Sequence, residues 1–256
     1  MIVALLTDFG TKDYFVSAMK GTILSINEQA KITDITHEIE PQDIKSASFI
    51  LASVYQNFPS KTIFVAVVDP GVGSTRRAIL VETDKYFFVA PDNGLLSFIF
   101  QQEQNFRVFE LTNPQFFLPN VSQTFHGRDV FAPVAAWLSK GIEPKEFGSK
   151  INDFIKFKNI RPKYISVNLL ESEILHIDRF GNLITNLKRE DVENDFTIEI
   201  NGKIIEKYCD YYAEAETDEI FTIFGSAGYL EIVSYQNSAQ DLLKVKTGEK
   251  IKVKFT

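Results

Sequence analysis

Three short segments of the 256-residue chain combine acidic, basic and imidazole side chains with glycine in patterns suited to chemistry on a small molecule. In Thr7-Asp8-Phe9-Gly10-Thr11-Lys12-Asp13 the Asp8 carboxylate can accept two hydrogen bonds from a vicinal diol, as ribose-binding carboxylates do at strand ends. Next comes Asp69-Pro70-Gly71-Val72-Gly73-Ser74-Thr75-Arg76, where two glycines let the backbone turn tightly and Asp69 can meet Arg76 across the loop. The third is Thr124-Phe125-His126-Gly127-Arg128-Asp129; an imidazole with an ordinary pKa of ~6.5 can there exchange a proton with water near neutrality. Each segment also has a plain structural reading: a helix cap, a turn closed by a salt bridge, and a helix-entry hydrogen bonder. Only their convergence on one sheet edge makes them a site. Two look-alikes fall away: Asp8-Phe9-Gly10 lacks the other kinase motifs, and the Asp69 loop lacks the Lys-Ser/Thr of a phosphate-binding loop.

The flanking sequence must place these loops together. Apolar runs at 2–6, 31–36, 62–68, 78–82, 85–90 and 107–111 read as strands, and they alternate with helical patterns. One helix spans about 13–27, with Phe15, Met19, Ile23 and Ile26 on one face. Another opens at Pro41 and buries Ile44, Ala47, Leu51 and Val54, a short one follows Asn93-Gly94, and the last begins beyond Gly127 and stops at Gly141. This is the pattern of a mostly parallel sheet covered by helices, whose ligands bind outside the carboxyl ends of the strands. After about residue 158 the texture changes to short strands, at 172–177, 196–200, 221–224, 230–233 and 250–255, which predicts a small β-barrel or sandwich. The expected division is 1–158 and 159–256, with the boundary near 159–163.

That second half offers Asp178-Arg179-Phe180-Gly181-Asn182 and Gly225-Ser226-Ala227-Gly228-Tyr229-Leu230-Glu231. Asn182 carries a donor and an acceptor that match an adenine edge, and Phe180 can stack on a ring; an ordinary strand and turn is the alternative.

Composition removes other classes. A single Cys209 forms no internal disulfide and no C-x-x-C motif, and three scattered histidines make no metal cage, so neither metal nor cofactor is expected. With 45% hydrophobic residues the chain buries a sizeable core rather than staying disordered. Its apolar runs fall far short of the ~20 residues that cross a bilayer, and its first residues lack the basic region of a signal peptide, which reads as cytoplasmic. A net charge of −7 disfavours nucleic-acid backbones and mildly favours a cationic ligand.

Taken in order, Thr7-Asp8-Phe9-Gly10, Val67-Val68-Asp69-Pro70-Gly71-Val72-Gly73, Ala90-Pro91-Asp92-Asn93-Gly94, Phe125-His126-Gly127-Arg128-Asp129 and Asp178-Arg179-Phe180-Gly181-Asn182 resemble the S-adenosylmethionine (SAM) hydrolases that release adenosine. These are also called SAM hydroxide adenosyltransferases and are related to the fluorinating and chlorinating enzymes acting on the same substrate. The resemblance implies an amino-terminal Rossmann-like α/β domain, a carboxy-terminal small β-barrel, and a homotrimer with sites at subunit interfaces. It also implies that Asp69, Arg76 and His126 activate water, with either Asp69 or His126 taking the proton. Asp8 would hold the ribose hydroxyls, Asn182 the adenine, and Asp178 with Ser226 the methionine portion, with Asp13 and Glu231 as further ligands. The fluorinating enzymes carry a halide-contacting Ser where this chain has Gly127, which places the sequence on the hydrolase side. A chlorinating enzyme and a sensor that binds adenosine or SAM without turnover are the competing expectations.

Overall fold

Strands that are apolar on both faces must be covered on both sides, and the first half of the chain is built around such strands. The computed structural model describes residues 1–158, 160–192 and 195–255; Asn159, the first residue of the expected boundary, lies outside the described residues. Chain contacts divide it into two units, Met1–Phe157 and Lys158–Thr256.

The elements of the first unit are β1 (Ile2–Thr7), α1 (Phe15–Ile26), β2 (Lys31–Thr36), α2 (Ile44–Val54), β3 (Ile63–Val67), β4 (Ala78–Thr83), β5 (Phe87–Pro91), α3 (Ser97–Gln102), β6 (Phe106–Glu110), α4 (Ala132–Ser139) and β7 (Lys150–Ile151). They form a seven-stranded sheet in the order β2-β1-β3-β5-β4-β6-β7. The expectation of a mostly parallel sheet holds for β2, β1, β3 and β5, but β4, β6 and β7 add antiparallel pairs, so the sheet is mixed. For the β4–β5 pair the reason is length: the short link between them holds no helix, and strands joined so directly return antiparallel. On one face Val3, Leu5, Val65 and Val67 pack with Met19 and Ile23 of α1 and Val134 and Leu138 of α4. Phe64 and Phe88 point to the other face, where Tyr55, just after α2, meets both rings edge-on.

Pro41 does not open α2. Gln42 has φ 69°, outside the helical region, and the helix starts only after Asp43, whose side chain accepts the Ser46 N–H at 2.9 Å and caps it. Ahead of α4, residues Gly127–Phe131 form a π-helical turn in which the Ala132 N–H reaches back to the Gly127 carbonyl. Pro133 explains it: proline cannot donate to the Asp129 carbonyl, which instead accepts the Leu118 N–H at 2.9 Å.

The second unit comprises β8 (Lys163–Ser166), β9 (Leu169–Ile177), β10 (Leu183–Lys188), β11 (Phe196–Ile200), β12 (Lys203–Ile205), β13 (Ile220–Phe224), β14 (Tyr229–Ser234), α5 (Ala239–Leu243) and β15 (Lys250–Phe255). Its antiparallel sheet runs β12-β11-β15-β9-β10-β14-β13, with β8 on β9. The stretch just beyond β12 then bonds to β13, through Cys209 N–H to Thr222 O at 2.9 Å and Thr222 N–H to Lys207 O at 2.8 Å, so the sheet nearly closes into a barrel. Leu170, Leu183, Leu230, Ile232, Ile251 and Val253 fill its interior. Among the described residues no helix is long and apolar enough to cross a membrane.

Phe64 is fully buried and stacks on Phe88 with ring centroids 5.2 Å apart. Phe64→Ala is expected to lower unfolding free energy by about 3–5 kcal/mol, read as an earlier urea midpoint.

Candidate functional site

Asp69 stands two residues past the end of β3, where a parallel strand delivers its carboxyl end to a ligand. The loop it opens is pinned at both ends by residues at the exit of β5, the strand beside β3. Asn93 donates its side-chain N–H to the Val68 carbonyl at 2.9 Å, beside Asp69. At the other end the Asp92 N–H donates to the Arg77 carbonyl at 2.9 Å, and the Arg77 guanidinium holds the Asp92 carboxylate at 2.8 and 3.0 Å. Between these anchors the Val72 N–H donates to the Asp69 carbonyl and the Ser74 N–H to the Gly71 carbonyl. Gly73 has φ 76°, and a Cβ there would collide with the carbonyl oxygen of Gln123. Glycine is thus required twice over, and the contact it permits brings the Asp69 loop against the segment that carries His126.

Across that contact the three expected residues meet. Arg76 donates from Nε to Asp69 Oδ1 at 2.9 Å and from Nη2 to Asp69 Oδ2, and the same Nη2 lies 2.7 Å from His126 Nδ1. Both charged side chains are withdrawn from water, at 9% and 5% exposure, and the guanidinium lies over the Phe131 ring, 5.4 Å from its centroid. A guanidinium offers only N–H donors. His126 Nδ1 must therefore accept, which puts the ring proton on Nε2 and makes the imidazole neutral. Burial and then the charge of Arg76 push the His126 pKa below its ordinary 6.5, in agreement with that assignment.

Asp8 follows β1, the neighbour of β3, and accepts the Gln42 N–H at 2.9 Å. Burial raises its pKa despite that hydrogen bond, and the charge of Asp69 adds to the rise. An aromatic cluster ties the loops together: Phe9, Phe15 and Phe125 pack with ring centroids 5.2–5.8 Å apart. Asp129, fully buried, accepts the Ser122 N–H at 2.8 Å and the Arg128 Nε–H at 2.6 Å, fixing the approach to His126. Asp13 is exposed in the loop before α1 and joins neither the Asp69 group nor any other hydrogen-bonded partner among the described residues.

The second unit gathers its own candidates. Asp178 Oδ1 accepts the N–H groups of Phe180 and Asn182, and Oδ2 accepts the Asn182 side-chain N–H, each at 2.9 Å. Because the Asn182 amide nitrogen is committed there and towards Tyr212 at 3.5 Å, the amide oxygen is the atom it offers to a ligand. Phe180, Asn182, Tyr212, Tyr235 and Asn237 line a cavity of about 510 Å³. Ser226 is exposed in the tight turn joining β13 to β14, closed by the Gly228 N–H on the Gly225 carbonyl. Burial and the charge of Asp178 push the Glu231 carboxyl up to about 7. The structure thus joins Asp178 with Asn182 by hydrogen bonds and with Glu231 by charge, while Ser226 makes no bond to them.

Sequence reasoning missed the supporting residues Asp92, Asn93 and Asp129, although all three lie in motifs already noted. The signal was polar residues at the ends of buried strands and in a helix entry, where a side chain has backbone groups to satisfy.

The family model of the SAM hydroxide adenosyltransferase N-terminal domain matches residues 3–148, and that of the C-terminal domain matches residues 172–252. The chain is 36% identical to a protein of Methanocaldococcus jannaschii named (R)-S-adenosyl-L-methionine hydrolase, covering 98% of this chain and 95% of that one. It is 27% identical to a fluorinase of an Actinoplanes species, over 75% of this chain and 73% of the other. A crystal structure of an uncharacterized conserved protein from Thermotoga maritima superposes with a TM-score of 0.91 at 35% identity, covering 99% of both chains.

Two outcomes are expected. In an NMR titration the His126 ring should change protonation below pH 6.5, and Arg76→Gln should move that midpoint upward, because it removes a positive neighbour. Gly73→Ala should destabilise the fold by more than about 1 kcal/mol in denaturant unfolding, since both its φ and its space exclude a side chain.

Proposed function

The chain belongs to the SAM hydroxide adenosyltransferase family, and on that premise we propose that it hydrolyses SAM to adenosine and methionine by attack of water on the ribose C5′. One observation carries the reading: a buried Arg76 that holds Asp69 with two hydrogen bonds and His126 with a third, beside Asp8 at the same sheet edge. The sulfonium leaves as a neutral thioether and needs no acid, so the protein's task is to align and deprotonate one water. Asp69 is the acceptor. Its carboxylate oxygens keep lone pairs beyond those used by Arg76, whereas His126 carries its proton on Nε2 and has given its Nδ1 lone pair to Arg76. The His126 Nε2–H then donates to the water oxygen and fixes its direction. As the O–C5′ bond forms, the C5′–S bond breaks with its electron pair on sulfur, and the water proton passes to Asp69. Holding the nucleophile in line at about 3–3.5 Å supplies much of the acceleration.

In this reading Asp8 receives the ribose hydroxyls, Asn182 the adenine through its amide oxygen, and Asp178, Ser226 and Glu231 the methionine portion, with Asp13 as an outlying contact. The acidic pair Asp178 and Glu231 suits a substrate bearing an ammonium and a sulfonium. Two copies of this chain contribute to each site, in a homotrimer where a neighbour's second unit supplies the adenine and methionine contacts. Exposed Phe180, Tyr164, Ile165 and Val167 are apolar surface of the kind subunits bury. Cytoplasmic action fits the single, buried, unpaired Cys209.

Halogenation is the second reading, and Gly127 weighs against it. A Cβ there would lie 3.2–3.3 Å from Phe125, Met19 and Phe9, so a seryl side chain would require these neighbours to shift by a few tenths of an ångström.

Incubation with SAM should yield equimolar adenosine and methionine by chromatography, and added chloride should give no 5′-chloro-5′-deoxyadenosine. Absence of turnover by folded protein would leave the sensor reading instead. Asp69→Asn should lower kcat by roughly 10²-fold or more while adenosine affinity stays nearly unchanged.

A further inference from the structure

His37 has no part in the reaction just described, yet it is buried, at 4% exposure, beside the loop that carries Asp8. Its ring spans two elements. Nδ1 lies 2.8 Å from the hydroxyl of Thr7, the fully buried last residue of β1, and Nε2 lies 3.0 Å from Asp34 Oδ1 on β2. Asp34 is held in turn by Lys20 at 2.6 Å; burial works against the charge of this carboxylate, but the Lys20 and His37 contacts outweigh it and keep its pKa low. The negative charge of Asp34 beside Nε2 favours the ring hydrogen on that nitrogen, so Nδ1 accepts the Thr7 O–H, and the Thr7 oxygen accepts the Phe9 N–H at 3.2 Å. The hydrogen bonds, Phe9 N–H to Thr7 and Thr7 O–H to His37, run from the Asp8 loop to the ring, and Asp34 adds an ion-pair contact at 3.0 Å that lacks hydrogen-bond alignment.

The same segment grips that loop at two further points. The Gly10 N–H donates to the His37 carbonyl at 2.8 Å, and the Gln42 N–H donates to Asp8 Oδ2 at 2.9 Å, from a residue held at φ 69°. Asp8 is thereby bracketed by Thr7 and Gly10, both tied to His37, and its carboxylate is turned by Gln42. We propose that Thr7, His37 and Asp34 form a positioning chain that aims the Asp8 carboxylate at the ribose diol, so that recognition of the 2′-hydroxyl depends on a threonine that touches no substrate. This rests on the assignment of Asp8 to the ribose.

The test is binding of adenosine and of 2′-deoxyadenosine to the full-length protein by calorimetry. Wild type should favour adenosine. Thr7→Val keeps the shape and deletes the hydroxyl, and it should reduce that preference by about tenfold, with KM for SAM rising more than kcat falls. Thr7→Ser restores the hydroxyl and should restore the preference to within about twofold of wild type. Asp34→Asn, at the partly exposed end of the chain, should move the preference in the same direction by less, and it reports even if Thr7→Val fails to fold. Asp8→Asn separates the two levels of the argument. If it leaves the preference at the wild-type value, the ribose assignment itself falls; if it abolishes the preference while Thr7→Val and Asp34→Asn keep it, the positioning chain falls and the assignment stands.

Discussion

Arg76 is a cation that water hardly reaches, and a buried cation must be matched by partners or the fold rejects it. Its match is Asp69, engaged through two hydrogen bonds, with His126 receiving the remaining Nη2 donor. Removing a partner from such a pair costs about 3–5 kcal/mol, because the charge left behind has nothing to replace it. The loops around the pair are therefore fixed on every side: Asn93 and Asp92 hold the ends of the Asp69 loop, Gly73 presses it onto Gln123, and Asp129 holds the approach to His126. The same guanidinium also occupies the Nδ1 lone pair of the neutral imidazole, which is why the proposed mechanism gives the water proton to Asp69.

The second unit follows the opposite rule. Asp178 is satisfied by backbone and amide N–H groups rather than by a cation, and Glu231 is half-buried with Asp178 as its charged neighbour. Burial first, and then the like charge of Asp178, raise the Glu231 carboxyl towards neutrality. In the proposed function a substrate with two positive centres would supply what the first unit provides from within.

Much of this was legible in the sequence. Strand positions, the change of texture near residue 158 and the residues Asp69, Arg76 and His126 follow from apolar periodicity and from glycine-rich loops at strand ends. The sheet's antiparallel half was not, because β4 and β5 look the same in either direction until the short connection between them is recognised as too brief for a crossover. Pro41 misled for a local reason: the Asp two residues on is the better cap, and a positive φ lies between them. His37 carries no signal of its own in the sequence, being one of three scattered histidines. Its value lies in partners on two other segments, Thr7 and Asp34, and pairings of that kind become visible only when β1 and β2 are placed side by side.

The π-helical turn at Gly127–Phe131 has a geometric meaning for the imidazole that precedes it. Each residue added to or removed from a helix rotates everything before it by about 100°. An unbroken α-helix running back from Ala132 would accommodate one residue fewer over the same turn, and His126 would face a different quadrant. Pro133, by refusing the Asp129 carbonyl, keeps the turn wide. The compass bearing of the imidazole is thus written seven residues downstream, in a ring with no polar hydrogen, and a one-residue deletion in this turn would spare the helix while swinging the imidazole away from Arg76.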